Sequence, residues 1–168
     1  MSLASAVQAA KDLLTYDGPA EHNLVISHQK RIRLNREINQ RLAPADAVRL
    51  EVTGRAARGN AAQTMLVWPG IDLIGCLSAS RCGIQNGVLY KVVDVTDEKI
   101  GLEGGVVLTH DQAKKWLRLA YAQTYASCQG SEFNGPLRLH DCSHKFFSRK
   151  HLFVGLSRAK IAAEVGLN

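Results

Sequence analysis

Apolar positions along the chain fall into short unbroken runs and helically spaced sets, separated by polar turns. Ala6, Val7, Ala10, Leu13 and Leu14 recur at helical spacing, which predicts a helix over 5–14. Asp17-Gly18-Pro19 stops it. Asn23 to Ser27 is a brief apolar run, as a parallel strand covered on both faces requires. It leads directly into His28 to Leu42, where Ile32, Leu34 or Asn35, Ile38 and Leu42 predict a helix with a strongly basic opposite face. Strand, polar turn and helix make the βα unit of an α/β sheet. Polar side chains at such a turn sit where these sheets bind ligands.

Val48 to Val52 alternates as a strand should, and 53–63 has no apolar period and reads as a mobile basic loop. From Pro69-Gly70 the pattern becomes all β. Ile71 to Cys76, Val88 to Val95 and Lys99 to Leu102 are strand candidates, punctuated by Asn86-Gly87 and Thr96-Asp97-Glu98. Tight turns between short strands predict a small β-barrel over 71–107. A helix follows at 110–117, with Thr109 or Asp111 as its cap. The stretch from Leu119 opens as an apolar strand, with Thr124 at its end, and runs into the polar turn Gln129-Gly130-Ser131-Glu132. Leu137 to His140 reads as a core strand, 146–156 as a helix, and 162–167 as a last strand.

Composition narrows the class. The 168 residues are 46% hydrophobic and 21% charged, which is globular rather than disordered. One domain with a small insertion is expected. A net charge of +6 and a pI near 9.3 favour phosphate-bearing partners over a merely solvated basic face only once motifs support it. The four cysteines show no C-x-x-C spacing, so structural disulfides are not expected and a reducing, intracellular location is. His140-Asp141-Cys142-Ser143-His144 has ligand-type residues, but no second cluster completes a tetrahedral site, and a strand end entering a loop explains them; no metal is assigned. No apolar run reaches the ~20 residues of a membrane span, and no signal peptide opens the chain. The phosphate cradle G-x-x-x-x-G-K-[ST] is absent, as is any Gly-Lys pair, and Asp141 is a lone carboxylate after its strand. Hydrolysis of a nucleoside triphosphate needs those parts, so the chain by itself is expected to be inactive.

Two stretches resemble signatures of superfamily 1 helicases of the UvrD and RecD kind. One is Ala122-x-Thr124 followed by Gln129-Gly130-x-Glu132, and the other is Phe153-Val154-x-Leu156-Ser157-Arg158-Ala159. Ser27-x-x-x-Arg31-x-x-x-Asn35 looks like the motif that opens the second RecA-like domain of RecD-type helicases. Pro69-Gly70-x-x-Leu73-Ile74 with Asn86-Gly87-x-x-Tyr90-x-Val92 resembles the barrel inserted in that domain, which helps guide single-stranded DNA. The resemblance implies an α/β fold, a RecA-like parallel sheet flanked by helices. Residues 1–70 and 108–168 would form the second RecA-like domain and 71–107 the barrel.

The implied function is the C-terminal motor half of an ATP-dependent DNA helicase, of the RecD-like or viral and mobile-element replicative type. Arg158 corresponds to the arginine that neutralises charge on the transferred phosphoryl group. Gln129, Gly130 and Glu132 correspond to the nucleotide-sensing turn, with Arg31 a second phosphate sensor. Ser27, His28, Asn35, Thr124 and Tyr125 fall at positions facing DNA. ATP and Mg2+ would be held only when this chain is joined to an N-terminal RecA-like half, with single-stranded DNA as the other partner and no membrane involved. Tyr125-Ala126-Ser127 departs from the His-Lys or His-Ser of many relatives. Two plainer readings stay open at this stage. Ser157 and Arg158 also suit a helix end, where the dipole favours a cation, and Gln129-Gly130 also suits an ordinary turn. A stand-alone, non-catalytic nucleic-acid or protein-binding module with a helicase-derived fold is the alternative function.

Overall fold

The computed structural model describes residues 2–54, 59 and 61–168. In chain order the elements are α1 (Leu3–Leu13), β1 (His22–Val25), α2 (His28–Leu42), β2 (Val48–Leu50), β3 (Met65–Val67), β4 (Asp72–Gly75), β5 (Leu89–Val95), β6 (Lys99–Leu102), β7 (Val107–Thr109), α3 (His110–Trp116), β8 (Leu117–Leu119), β9 (Ala122–Thr124), β10 (Leu137–Leu139), α4 (Arg149–Leu156) and β11 (Val165–Leu167). They fall into two compact units, Met1–Arg31 with Tyr121–Asn168, and Ile32–Ala120. No described helix is long and apolar enough to cross a membrane.

The first unit is built on a four-stranded sheet in the order β11-β10-β1-β9, parallel throughout. Leu24, Val25, Leu137 and Leu139 are wholly enclosed, which is why these strands read as unbroken apolar runs. Each such side chain contributes roughly 1.5–3 kcal/mol through burial. Tyr125, Phe133, Phe147, Leu152 and Val165 complete this core, and α1 adds Val7 and Ala10 from one face. Ser2 starts α1 by accepting a hydrogen bond from the Ser5 amide at 3.1 Å. Gly166 is required where it stands: a Cβ there would lie 2.1 Å from the Tyr16 carbonyl oxygen, beside the Thr15–Gly166 bridge.

The second unit carries the antiparallel pair β2–β3 and a five-stranded antiparallel sheet in the order β7-β6-β5-β4-β8. Leu73, Val92, Ile100, Leu102 and Leu108 are among its buried residues. The barrel expected over 71–107 is not seen to close: β7 and β8 stand at opposite edges of this sheet. The compact unit also extends beyond 71–107 on both sides. Helix α3 is held by a capping box in which Thr109 accepts from the Gln112 amide and Gln112 accepts from the Thr109 amide.

Helix α2 has the predicted bounds but a different buried stripe. Arg31, Asn35 and Asn39, at i, i+4 and i+8, are enclosed, whereas Leu42 is exposed and Ile32 and Ile38 are half-buried. Asn39 shows how a polar residue is tolerated there. Its amide donates to the Leu66 carbonyl and accepts from the Leu66 amide, both at 2.8 Å, so β3 is clipped to the helix without an orphaned group. The basic loop expected over 53–63 lies partly outside the described residues.

Candidate functional site

Polar residues line the segments leaving the carboxyl ends of β1, β9 and β10, while the turn after Gln129 runs back to the amino end of β1, where Phe133 stacks on His22 at 4.8 Å. The chain leaves β1 into α2, and the later strands β9 and β10 fall on opposite sides of β1. Open parallel sheets bind ligands at the carboxyl ends of strands beside such a reversal. Register places Val25 beside Thr124 and Leu24 beside Leu139, so the segments following β1, β9 and β10 emerge together.

After β9 the chain makes a tight turn. Thr124 and Ser127 share a hydroxyl–hydroxyl contact of 3.0 Å, and each amide donates to the other's hydroxyl at 3.1 Å. Gln129 and Gly130 follow in the open. Gly130 has φ +87°, a left-handed conformation that favours glycine, and nothing lies within 4 Å of a Cβ there. Glu132 is exposed and stands 3.8 Å from Lys160.

Arg158 comes from the other motif, just past the end of α4. Its carbonyl accepts from the Phe133 amide at 2.7 Å, and the Lys160 amide donates to the Phe133 carbonyl at 3.1 Å, forming a parallel bridge between Phe133 and Ala159. The guanidinium donates through Nη1 to the Ser131 carbonyl at 3.3 Å, and through Nε and Nη2 to the Ser157 hydroxyl at 3.3 and 3.2 Å. No carboxylate lies within ion-pair distance of it among the described residues. The fold thus brings Gln129, Gly130, Glu132 and Arg158 into one neighbourhood, held by main-chain bonds. The chemistry on offer is a half-buried, permanently charged fork whose charge is uncompensated by protein. Burial pushes the neighbouring Cys128 thiol up to about 11, with the Arg158 charge pulling the other way, so Cys128 is an inert core group.

The remaining predicted residues divide by exposure. Ser27 is exposed and accepts from the Lys30 amide at 3.2 Å, which makes it the N-cap of α2. His28 is half-buried. Asn35, Thr124 and Tyr125 were expected to face DNA but are enclosed, at 0, 3 and 2% exposure. Tyr125 in particular is a core residue: it packs edge-on to Phe147 and donates to the His140 carbonyl at 2.8 Å. Arg31, expected to sense phosphate, is wholly enclosed, and its amide bonds the Ser27 carbonyl at 3.0 Å. None of these four side chains presents a surface to a ligand in this conformation.

A network that the sequence did not announce lies after β10. Asp141 adopts φ +67°, the left-handed region, and its carboxylate accepts from Lys30 Nζ at 2.5 Å and from the Ile26 amide at 3.0 Å. Burial works to raise the Asp141 pKa, but the Lys30 and Ile26 hydrogen bonds and the Lys30 charge outweigh it and hold the carboxyl below its ordinary value. His140 sits between Asn23 Oδ1 at 2.9 Å and Asn168 Nδ2 at 3.2 Å, an arrangement that suits the neutral ring protonated on Nε2. Burial, followed by the Lys30 charge, pushes His140 down to about 4. Asp141 is therefore already engaged and offers no free carboxylate for magnesium. No group of three or more metal-ligating side chains occurs among the described residues. What the described residues bring together here is an exposed polar turn and one guanidinium without a carboxylate partner.

No family model and no curated protein sequence matches the chain. Solved structures do match its fold. A structure of two coordinating Pif1 helicases unwinding forked duplex DNA aligns at a TM-score of 0.66 and 17% identity, covering 98% of this chain and 43% of that one. Bacteroides Pif1 bound to single-stranded DNA aligns at 0.64 and 15% identity, over 98% and 45%. Bacteroides Pif1 with ADP-AlF3 and single-stranded DNA aligns at 0.60 and 15% identity, over 98% and 44%. The chain thus has the mixed α/β fold found in part of Pif1 superfamily 1 helicases and spans less than half the length of those chains.

Proposed function

We propose that this chain is the C-terminal motor half of an ATP-dependent superfamily 1 DNA helicase, supplying Arg158 to a nucleotide cleft and part of the track for single-stranded DNA. The observation that carries the reading is the tie between the Arg158 segment and the Gln129–Glu132 turn, through the Phe133–Ala159 bridge and the Ser131 carbonyl. Two motifs separated in sequence converge on one junction beside the amino end of β1, in a fold shared with helicases solved on single-stranded DNA and with ADP-AlF3.

Nucleotide and magnesium, when bound, supply the phosphoryl group and its charge neutralisation, and both belong to the partner half. This chain's residues orient and stabilise. Arg158 presents a planar fork to phosphate oxygens, where a guanidinium is favoured over a point charge. Gln129 and Glu132, exposed beside it, reach the sugar or base. Gly130 keeps the turn between them tight. The test is complementation. Mixed with or fused to an N-terminal half that bears the phosphate cradle, the chain should confer DNA-stimulated ATP hydrolysis that neither half has alone. A fused protein that binds ATP and single strands yet never turns over would contradict the reading.

A further inference from the structure

The loop leaving β10 and the facing side of α1 enclose a pocket of about 480 Å3, a size suited to a small organic ligand. Leu3, Val7 and Phe147 line it with apolar surface, and Lys11, His144 and Lys145 add polar and basic groups. It shares no lining residue with the Arg158 site, and no carboxylate lines it. The nearest acids are already engaged: Asp12 accepts from Gln8 Nε2 at 2.8 Å, and Asp141 is held by Lys30. Lys11 stands in the last turn of α1 and is itself one of the lining residues.

Next to Lys145 in the chain, Phe146 is 65% exposed, an unusual position for a phenyl ring. Lys145 Nζ stands 4.9 Å from its centroid, and the His144 ring lies 5.5 Å away. From Cys142 to Ala163 the chain carries Lys145, Arg149, Lys150, Arg158 and Lys160 and no Asp or Glu. Exposed aromatics set among cations are the pattern by which proteins hold single strands without reading sequence. The bases stack on rings while the backbone follows the charge.

We propose that α1 and the 142–148 loop form a second contact for single-stranded DNA, in which a base stacks on Phe146 and the neighbouring nucleotide occupies the pocket with its phosphates on Lys11 and Lys145. The site rests on the reading of the chain as a single-strand-tracking motor half. It adds an anchoring point that none of the helicase-like motifs contains. An acidic peptide would satisfy the cations but make no use of the ring.

The test is fluorescence anisotropy with a labelled 16-nucleotide dT strand and with an abasic strand of equal length, at low salt. Wild type should bind dT better than the abasic strand. Phe146→Ala should weaken dT binding roughly ten-fold or more while leaving abasic binding unchanged. Lys11→Glu and Lys145→Glu should weaken both. In Phe146→Trp, the added tryptophan emission should be quenched by dT. Unaltered dT binding by Phe146→Ala, equal affinity of wild type for the two strands, or competition by poly-aspartate as strong as by dT would each overturn this site while leaving the motor-half reading intact. No single-strand binding by wild type at all would overturn both. Because Phe146 is exposed, thermal melting of its variants should match wild type, so a lost signal reports the contact rather than the fold.

Discussion

Arg158 and Ser131, 27 positions apart, meet where Nη1 of the arginine donates to the serine carbonyl at 3.3 Å. Main-chain bonds on either side of Phe133 fix the same junction. The arginine is therefore positioned by the turn that carries Gln129 and Gly130, and any displacement of that turn shifts the guanidinium with it.

Gly155 lies in α4 three residues before Arg158, and its smallness has a packing reason. A Cβ there would meet the two methyl groups of Leu139 at 2.7 and 2.9 Å and the Tyr125 ring at 3.2 Å. Gly155→Ala is expected to lose about 1–3 kcal/mol through overpacking, despite alanine's better helix propensity. Chemical denaturation gives the answer directly, and a stabilised variant would contradict the packing described.

Asp141 links β10 to the start of α2 through Lys30 and the Ile26 amide. Asp141→Ala removes both bonds, strands a partly buried ammonium and leaves alanine at φ +67°, so a loss of about 3 kcal/mol is expected. Asp141→Asn tolerates the left-handed backbone and keeps an acceptor, and should cost clearly less. Equal losses in urea melts would mean that the lost charge carries the whole effect and that the backbone conformation and the remaining acceptor carry none of it.

The strands and helices punctuated by turn residues were legible from the sequence. α2 matches its predicted bounds because a clear polar turn follows β1, and α3 was announced by Thr109. β3, β7 and β8 were not foreseen, and β8 follows Trp116 directly, without any Gly or Pro to mark the change from helix to strand. The polar stripe on α2 was missed for a different reason. Apolar periodicity assigns the core to Ile32, Leu34 or Asn35, Ile38 and Leu42, of which Asn35 is enclosed, whereas Asn39 is buried by a specific exchange with the Leu66 backbone of β3. At the site, the neighbourhood of Gln129 and Arg158 followed from the resemblance. The enclosure of Thr124 and Tyr125 did not, since a strand end in sequence does not reveal which elements pack over it. The left-handed backbone of Asp141 had no signature at all.

His140 gives the fold a pH dependence of definite sign. Its folded pKa, about 4, lies below the ordinary 6.5, so between those values the unfolded chain binds a proton that the folded chain refuses. Stability should be flat above pH 6.5 and fall as pH drops towards 4, by on the order of 3 kcal/mol. His140→Gln should flatten that slope. Asp141, whose pKa is depressed, adds a loss of the same sign only as pH falls below its ordinary 3.8. Melting temperatures recorded across this range decide the matter, and a stability that rises on acidification would contradict it.

The isolated chain should hydrolyse no ATP above background, and its binding to single-stranded DNA should weaken steadily as salt rises, because displaced counterions supply much of the affinity. A titration at several salt concentrations checks this, and salt-independent affinity would place the contact elsewhere than on the basic surface.

The most direct test of the motor-half reading is steady-state, DNA-stimulated ATP turnover by this chain fused to an N-terminal half that bears the phosphate cradle, with and without Arg158→Ala, measured beside ATP binding and thermal melting. The account predicts unchanged folding, near-normal ATP binding and a fall in kcat of about 10³–10⁵, with Arg158→Lys restoring little because an ammonium lacks the planar fork. Near-normal turnover in the alanine variant would contradict it.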